Sequence, residues 1–359
     1  MKALILLGGL GTRLRPLTLT RPKPLLPVLN RPLIAHQLDA LRGMGIRNVV
    51  LALGYKAAHF KALLGRGNRW GVRFHYSIER DPLGTGGAIR KALGSMDGTT
   101  MILNGDILSD IDLRGLTARH ARAKAQATLA LTEVKDPSAF GLVQTDPGGR
   151  VVGFLEKPSA EQTTCRTINA GVYVFEPEIV QRIPAGRPVS IEREIFPALI
   201  AEGYRVRAEV HRGYWSDVGT LAAYWRTHAD LHLLGRWPAG YRVRGGLVRG
   251  PGVRWHPTAR QRGTAVIGRG SRVDRGAVLE GCVTLGDRVR VGAGARLVNC
   301  VVLEGAVIGD RSRVENAVLG AGTVLGADCR VGPDLVMGDG ARWPDHSQCV
   351  PGLTDGAPN

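Results

Sequence analysis

The sequence predicts an α/β domain built on a mainly parallel, mixed sheet, followed by a domain of stacked β coils. Short apolar segments alternate with helical patterns along the first 235 residues, which is typical of sheets covered by helices. Beyond residue 252 the pattern changes, and an apolar residue recurs every six positions. The chain has 359 residues and is 44% hydrophobic, which is enough for two separate cores.

The elements of the first domain follow from local patterns. Short apolar runs predict strands at residues 3–7, 48–53, 74–77, 99–103, 127–132, 151–155 and 171–175. Pro32 sets the start of a helix through Leu41, and the glycine turn at residues 83–87 leads into a helix that ends near Leu93. Ligands of such sheets collect at the carboxyl ends of the strands, so the segments after Leu7 and Leu103 are expected at one edge.

The second domain follows from the repeat. One apolar residue per step is expected inside the coils, and a small or β-branched residue stands two positions before each: the apolar set is Ile267, Val273, Leu279, Leu285, Val291, Leu297, Leu303, Ile308, Val314, Leu319, Leu325 and Val331. This pattern predicts a hexapeptide β-helix of about four triangular coils, with the five-residue steps after Leu303 and Val314 at corners. The predicted boundaries are 1–235 for the first domain, 236–252 for a linker, 253–340 for the β-helix and 341–359 for a C-terminal tail.

A phosphate-binding loop is predicted directly after the first strand. Gly8, Gly9 and Gly11 can turn backbone N–H groups toward an anion, and Arg13 and Lys23 add cations beside them. Three prolines stiffen the segment, which suits a triphosphate. A leucine stands where the dinucleotide fingerprint needs its third glycine, and no Gly-Lys-Ser/Thr follows, so neither that fingerprint nor the Walker A pattern fits.

A series of motifs in fixed order resembles the sugar-1-phosphate nucleotidylyltransferase family. It begins with GGxGTRLxPLT at residues 8–18 and continues with PKPL at 22–25, LGTGGAI at 83–89, NGD at 104–106, FGLV at 140–143, FLEKP at 154–158, NAGVYVF at 169–175, SIEREIFP at 190–197 and WSDVGT at 215–220. The resemblance implies a Rossmann-like catalytic domain that joins a nucleoside triphosphate to a sugar 1-phosphate. The repeat domain resembles the left-handed β-helix that follows this domain in several members.

The resemblance leaves the substrates and the activity open. The layout is most similar to members of the family that use GTP and mannose 1-phosphate, so these are the favoured substrates. Glucose 1-phosphate with a uridine or thymidine triphosphate, or another manno-configured sugar with GTP, are alternatives within the same class. A catalytically silent regulatory subunit is the alternative from a different class, although the charged motif residues are intact.

The resemblance also implies roles for individual residues. Nucleotidyl transfer passes through a strongly anionic transition state, so Mg²⁺ is expected, with Asp106 and Asp217 as its ligands. Lys157 is expected to hold the sugar phosphate, and Arg13 and Lys23 the departing phosphates. The other expected substrate contacts are Leu6, Gly8, Gly9, Gly11 and Thr12 on the phosphate loop, Gly84 and Thr85 in the second glycine turn, and Gly141, Glu156, Asn169 and Gly171 around the sugar.

The composition of the chain argues against nucleic acid and membranes as partners. The net charge is +17, but the arginines are dispersed without a basic block, so nucleic acid is not expected as a partner. Five cysteines without CxxC spacing fit reduced thiols in a cytoplasmic protein. The N-terminus lacks the pattern of a secretory signal, and there is no apolar run of membrane-spanning length, so no membrane partner is expected.

The β-helix is expected to serve assembly and not chemistry. Acyl transfer on such coils needs a base, and histidine is absent between His256 and His346. Exposed coil edges invite pairing with another subunit, so a homo-oligomer is expected. His228 and His232 have the spacing of zinc ligands but lack the accompanying glutamate, so they are predicted on an exposed helix face. Residues 192–194 are expected at a solvated helix start, with a supporting role at the pocket as the alternative.

Overall fold

The computed structural model of the chain describes residues 1–54, 57–94, 97–156 and 165–349. The chain divides into two compact units. The first, here called the sheet unit, comprises Met1–Leu10 and Leu33–Asp217, and the second, the coil unit, comprises Gly11–Pro32 and Val218–Asn359. Residues 11–32, here called the loop segment, therefore belong to the same unit as the repeats. The domain boundaries given by the sequence stay a prediction.

Elements are numbered along the whole chain. Before residue 218 the strands are β1 (Lys2–Leu7), β2 (Pro27–Val28), β3 (Arg31–Pro32), β4 (Asn48–Leu53), β5 (Arg73–Ile78), β6 (Thr100–Asn104), β7 (Ile107–Ser109), β8 (Ala127–Glu133), β9 (Gly141–Thr145), β10 (Val151–Glu156), β11 (Thr167–Phe175), β12 (Val206–His211) and β13 (Trp215–Asp217). The helices are α1 (Leu33–Gly43), α2 (Ala57–Leu64), α3 (Gly84–Leu93), α4 (Leu113–Arg122), α5 (Pro177–Arg182), α6 (Phe196–Ala201) and α7 (Leu221–Leu233). Short 3₁₀ turns cover Thr12–Leu14, Lys23–Leu25 and Asn68–Trp70, and a π-helical turn covers Ile191–Ile195.

The sheet unit contains a mixed sheet in the order β10-β9-β11-β6-β1-β4-β5, with β8 beside β11 and β12 beside β8. Its centre, from β6 through β1 and β4 to β5, is parallel, whereas β11 runs antiparallel to β6 and β8. Leu6 of β1 pairs with Asn104 of β6. The carboxyl ends of these two strands therefore meet at one edge of the sheet, which confirms the expectation from the sequence.

A continuous apolar core lies under this sheet. Leu4, Ile102, Leu129 and Tyr173 contribute from four strands, and Phe196 packs on them from α6. All five side chains are fully buried. Strands with this composition are apolar on both faces because helices cover both faces of a parallel sheet. The core fixes the strand ends, where the predicted site residues lie.

The coil unit is built from short parallel strands. They are β14 (Arg242–Arg244), β15 (Leu247–Arg249), β16 (Arg254–Trp255), β17 (Arg260–Ile267), β18 (Arg272–Val273), β19 (Val278–Leu285), β20 (Arg290–Val291), β21 (Arg296–Val298), β22 (Val301–Val302), β23 (Val307–Ile308), β24 (Arg313–Glu315), β25 (Val318–Leu319), β26 (Val324–Leu325), β27 (Arg330–Val331), β28 (Val336–Met337), β29 (Arg342–Trp343) and β30 (Gln348–Cys349). Only β14 pairs antiparallel, with β15, in this part of the described chain.

The strands stack in register at intervals of one coil. Val273 pairs with Val291, eighteen residues on, which is three hexapeptides. The twelve apolar residues predicted inside the coils are all buried, so the β-helix is confirmed. One detail was wrong: Val302, not Leu303, pairs with Leu285, so the first five-residue step lies between Leu297 and Val302. Asn299 closes that corner in the left-handed region, at a φ of 50°.

The stack extends beyond the repeats recognised in the sequence, which predicted about four coils. β14 and β15 lie in the segment predicted as a linker, and β15 pairs with β17. β29 and β30 lie in the segment predicted as a tail, where they pair with β26 and β27. These outer strands carry the pattern poorly, since Arg249 stands opposite Ile267 and Trp343 stands opposite Leu325. Among the described residues, no helix has the length and apolar character needed to cross a bilayer.

Candidate active site

The turn between β6 and β7 requires a glycine. The Gly105 N–H donates to the carbonyl oxygen of Leu6, over 2.9 Å. A Cβ at Gly105 would collide with the Leu7 side chain and stand 2.7 Å from the Leu6 oxygen. The turn therefore lies directly against the carboxyl end of β1. This close packing places Asp106, one residue later, at the edge of the sheet where the first loop begins.

A buried amide from α1 supports the same turn. Gln37 Nε2 donates to the carbonyl oxygens of Asn104, at 2.7 Å, and of Ile107, at 2.9 Å. The Asn104 side chain is half-buried, and its Oδ1 atom accepts no hydrogen bond from the described residues. A buried acceptor in this state indicates that a ligand or water hydrogen bond belongs there. Sequence reasoning missed both residues. Gln37 was detectable only as a polar residue on an otherwise apolar helix face.

The two predicted metal ligands come together through a small antiparallel pair. β13 pairs with β7, and Asp217 stands opposite Ile107, the residue that follows Asp106. Both aspartates are half-buried. Within the described ranges there is no cluster of three or more histidine, cysteine, aspartate or glutamate side chains that could hold a metal. Two carboxylates nevertheless suit Mg²⁺, which takes its other ligands from waters and substrate phosphates.

The strand β11 bends beside this pair. Its register with β8 shifts between Asn169 and Tyr173, and Gly171 adopts a φ of 73°. A Cβ at Gly171 would stand 2.8 Å from the Asn104 amide nitrogen, so the bend needs glycine. Asn169 Nδ2 donates to the Tyr173 hydroxyl at 2.7 Å, and its Oδ1 accepts from the Gly171 N–H at 3.1 Å. These two bonds fix the orientation of the amide.

Tyr173 stays protonated at this position. Burial raises the pKa of its hydroxyl well above the usual value, and the negative charges of Glu192 and Asp106 raise it further. Trp215, on β13, donates through Nε1 to the carbonyl oxygen of Ala170 at 3.0 Å. The bend at residues 169–171 is thus tied to β13, the strand that ends at Asp217.

Part of the predicted sugar pocket lies on the three strands β9, β10 and β11. Gly141 pairs with Glu156, and the next residue along β9, Leu142, pairs with Ile168 beside Asn169. Gly141, Glu156 and Asn169 are therefore neighbours by register. Lys157, predicted to hold the sugar phosphate, lies outside the described residues.

Contacts with Val189 and Glu192 hold the second glycine turn in its conformation. Gly84 has a φ of 67°, and a Cβ there would stand 2.6 Å from the carbonyl oxygen of Val189. The Gly86 N–H donates to the same oxygen at 2.8 Å. Thr85 Oγ1 donates to Glu192 Oε2 at 2.8 Å. Glu192 is thus half-buried and supports the turn, whereas the two residues after it are exposed, as expected for a solvated helix start.

The fold requires glycine at only one of the three glycine positions in the first loop. A Cβ at Gly8 or Gly9 would meet no described atom within 4 Å, so the fold of the chain does not require glycine at either position. Gly11, in the loop segment, has a φ of 65°, and a Cβ there would stand 3.3 Å from the Cβ of Lys23. Thr12 and Arg13 are exposed, while Lys23 is only 8% exposed. The exposed glycines leave room for a ligand along the backbone.

The prediction of an exposed face for His228 and His232 was wrong. Both side chains are buried within the coil unit, because α7 packs on the β-helix. His232 Nδ1 lies 3.0 Å from Thr264 Oγ1 and its Nε2 2.9 Å from Thr284 Oγ1. Burial lowers the pKa of His232 to about 4, so the ring is neutral near pH 7. The periodicity of one helix cannot show a partner that lies far along the chain.

Each of the two parts of the chain matches a known protein family. Residues 2–233 match the nucleotidyl transferase family, and residues 261–349 match the domain described as the GMPPB C-terminal domain. The resemblance noted in the sequence is thereby confirmed.

Curated relatives and a solved structure are similar over the first part. A mannose-1-phosphate guanylyltransferase of Mycobacterium tuberculosis is 47% identical over 231 residues, covering 64% of this chain and 64% of the relative. A mannose-1-phosphate guanylyltransferase catalytic subunit beta of Danio rerio is 39% identical over 224 residues, covering 61% of each. The chain thus spans less than two thirds of the length of these relatives. The structure of HddC from Yersinia pseudotuberculosis complexed with GMP-PN is 26% identical, with a TM-score of 0.55, covering 64% of this chain and 99% of that one.

Proposed function

This chain belongs to the nucleotidyl transferase family, and we propose that it transfers the guanylyl group of GTP to mannose 1-phosphate, giving GDP-mannose and pyrophosphate. The names of the relatives from Mycobacterium tuberculosis and Danio rerio support guanine and mannose. The GMP-PN complex of HddC supports a guanine nucleotide independently, in a more distant structure.

The observation that carries the proposal is the pairing of β13 with β7. It puts Asp217 opposite the residue after Asp106, at the edge where β1 ends in an open glycine loop. The buried Oδ1 of Asn104 and the bend at Gly171 lie on the same edge. Carboxylates, a buried amide acceptor and unobstructed glycine backbone are together what a nucleotide with its metal ion requires. A structural role alone leaves the Asn104 acceptor unexplained.

Asp106 and Asp217 would hold a divalent ion, for which we propose Mg²⁺. Both side chains offer hard oxygen ligands, and two such groups are enough when phosphates and waters supply the rest. When bound, the ion would offset the negative charge of the triphosphate.

The residues of the chain support an in-line displacement. An oxygen of mannose 1-phosphate bonds to the α-phosphorus of GTP while the bond from that phosphorus to the pyrophosphate oxygen breaks. No covalent intermediate with the protein is needed, because the attacking oxygen is already anionic. Arg13 and Lys23 would neutralise the departing pyrophosphate, Lys157 would hold the sugar phosphate, and Glu156 would accept hydrogen bonds from the sugar hydroxyls. Catalysis then comes from positioning and from charge neutralisation.

A matrix of substrates tests the proposal. The purified chain is incubated with Mg²⁺ and each of the four ribonucleoside triphosphates and dTTP, against mannose, glucose and glucosamine 1-phosphate, and pyrophosphate release is followed. We expect GTP with mannose 1-phosphate to give the highest kcat/KM. A higher value for another pair would move the proposal to another substrate within the family. No turnover with any pair, in protein that binds GTP, would favour a silent regulatory subunit.

We also propose that the chain forms a homo-oligomer through its β-helix. Among the described residues β30 ends one face of the stack, and strands at such an end offer backbone groups that pair readily with another chain. Light scattering on the purified protein tests this directly. A monomeric mass across the working concentration range would contradict the proposal.

A further inference from the structure

We infer that the β-helix positions the phosphate-binding cations of the loop segment through two carboxylates, Glu304 and Asp339, that hold Arg21. The inference rests on the proposed function, because it gives Lys23 the role of a phosphate ligand. It assigns the β-helix a part in the reaction that needs no catalytic group on the coils. Arg21, Glu304 and Asp339 are positioning residues in this account.

The contact between the loop segment and the coils is a shared ion pair. Arg21 Nη2 lies 2.9 Å from Glu304 Oε1 and 3.1 Å from Asp339 Oδ2. Thr20 Oγ1 donates to the same Asp339 oxygen at 2.5 Å. The Arg21 side chain is 21% exposed and that of Asp339 12%, so solvent screens this pair less than an open surface pair. One guanidinium held by two carboxylates also has fewer available positions than one held by a single partner.

The stacking of the coils fixes the carboxylate of Asp339 and the backbone of Glu304. Asp339 Oδ1 accepts from the N–H of Ala321, one coil earlier, at 2.7 Å. The carbonyl oxygen of Glu304 accepts from the N–H of Gly322 at 2.8 Å. Glu304 and Asp339 therefore sit at corners of the two coils that flank the coil of Ala321 and Gly322, where hydrogen bonds between coils set their places. The β-helix offers Arg21 a rigid surface and not a mobile loop.

A second anchor lies on the other side of Lys23. The carbonyl oxygen of Pro27 accepts from the Tyr224 hydroxyl at 2.5 Å, and His228 Nε2 lies 3.2 Å from the same oxygen. Asn30 Nδ2 donates to the carbonyl oxygen of Leu285, inside the coils, at 2.8 Å. Tyr224 and His228 belong to α7, which is bound to the β-helix in turn. The loop segment is thus attached to the coils both before and after Lys23.

Lys23 has little freedom between these anchors. It opens the 3₁₀ turn Lys23–Leu25, two residues after Arg21 and four before Pro27. Its Cβ lies close to Gly11, whose carbonyl oxygen accepts from Thr18 Oγ1 at 2.7 Å. Gly11, Lys23 and the anchors therefore belong to one packed segment. A cation displaced by about 1 Å from its substrate can cost on the order of a hundredfold in rate, so the anchors matter for turnover.

The inference predicts a specific kinetic signature. Glu304→Gln and Arg21→Gln in the full chain should each lower kcat by about tenfold and raise KM for GTP and, in the reverse reaction, for pyrophosphate. KM for mannose 1-phosphate should stay within about twofold, because its predicted ligands belong to the sheet unit. The double variant should lose less than the product of the two single losses, since both remove one interaction. Arg21→Lys, which keeps the charge but not the fork, should fall in between.

Glu280→Gln is the matched control. Glu280 forms an ion pair with Arg296 on the same β-helix, at 2.9 Å, and its side chain is 32% exposed, close to the 35% of Glu304. This variant should leave every kinetic constant near that of the unchanged protein. The inference is overturned if Glu280→Gln reproduces the effects, or if Glu304→Gln and Arg21→Gln only reduce the active fraction with both KM values unchanged.

The test separates this inference from the proposed function. If the unchanged protein prefers another substrate pair, the variants are assayed with that pair, and the same pattern is expected. If no pair is turned over, the proposed function fails, and calorimetric titration with GTP takes the place of the assay. Arg21→Gln should then weaken GTP binding about tenfold while Glu280→Gln does not. Equal GTP affinity in all variants would overturn the inference on its own.

Discussion

Acidification should weaken the coil unit through His232. The side chain is 2% exposed, and burial lowers its pKa from 6.5 to about 4. Well above pH 6.5 the ring is neutral in the folded and the unfolded chain, so it contributes no pH dependence there. As the pH falls toward 4, the unfolded chain binds a proton that the folded chain does not, and unfolding is favoured. At about 1.36 kcal/mol for each pKa unit, the free energy of unfolding falls by about 3 kcal/mol once both states are protonated.

The contribution of His232 can be isolated with one substitution. In His232→Gln the amide can still donate to one threonine hydroxyl and accept from the other, but it does not titrate. Urea unfolding is followed by tryptophan fluorescence, for which Trp237 is a local reporter because its ring centroid lies 5.7 Å from that of His232. Between about pH 7.5 and about pH 4.5, the unchanged protein should lose about 2.5 kcal/mol more than the variant.

Comparing the two proteins removes the contribution of the carboxylates to the pH dependence, because these groups titrate alike in both. An equal loss of unfolding free energy in the two proteins over this range would refute the reasoning. It would mean that His232 accepts a proton in the folded state at its ordinary pKa, and that α7 does not shield the ring from solvent.

Three further outcomes follow from the site. Asp106→Asn and Asp217→Asn should each lower kcat by about a hundredfold or more with the fold retained, and turnover near that of the unchanged protein at saturating Mg²⁺ would remove that residue from the metal site. Arg13→Ala should slow GDP-mannose synthesis and its pyrophosphorolysis alike, because one cation serves the triphosphate and pyrophosphate; unchanged GTP binding in calorimetry together with intact turnover would exclude it. Gly105→Ala should lower the unfolding free energy by about 1–3 kcal/mol, since the new Cβ meets the Leu7 side chain; an unchanged melting temperature would show that β1 can move away.

Regular patterns in the sequence were enough to predict most of the architecture. The hexapeptide period identifies the inward residues because each coil repeats the same contacts one step along the chain, as the pairing of Val273 with Val291 shows. Short apolar runs located the seven predicted strands for a similar reason. Where the period is irregular, the prediction failed: the pattern assigned Leu303 to the position that Val302 occupies opposite Leu285.

Contacts between distant parts of the chain could not be predicted. Arg21 and Glu304 are separated by 283 residues, and no period or motif connects them. His228 and His232 looked like surface residues for the same reason, since their threonine partners lie on coils. The sequence around Gln37 also does not predict that its side chain supports the turn before Asp106, because a single glutamine on a helix has many possible environments.

The lack of histidine between His256 and His346 argues against a base on those coils, but it does not exclude a part of the β-helix in the reaction. A reaction that depends on placing cations against phosphates depends on whatever fixes those cations. The side chains of Thr20, Arg21 and Asn30 in the loop segment form hydrogen bonds with Asp339, Glu304 and Leu285, which all lie on the β-helix. Hydrogen bonds between coils hold the backbone at these corners, so the β-helix offers Arg21 rigid partners whose separation is a whole number of coils. Assembly and positioning therefore make different demands on the β-helix: assembly needs its exposed edges, whereas positioning needs the corners that face Arg21.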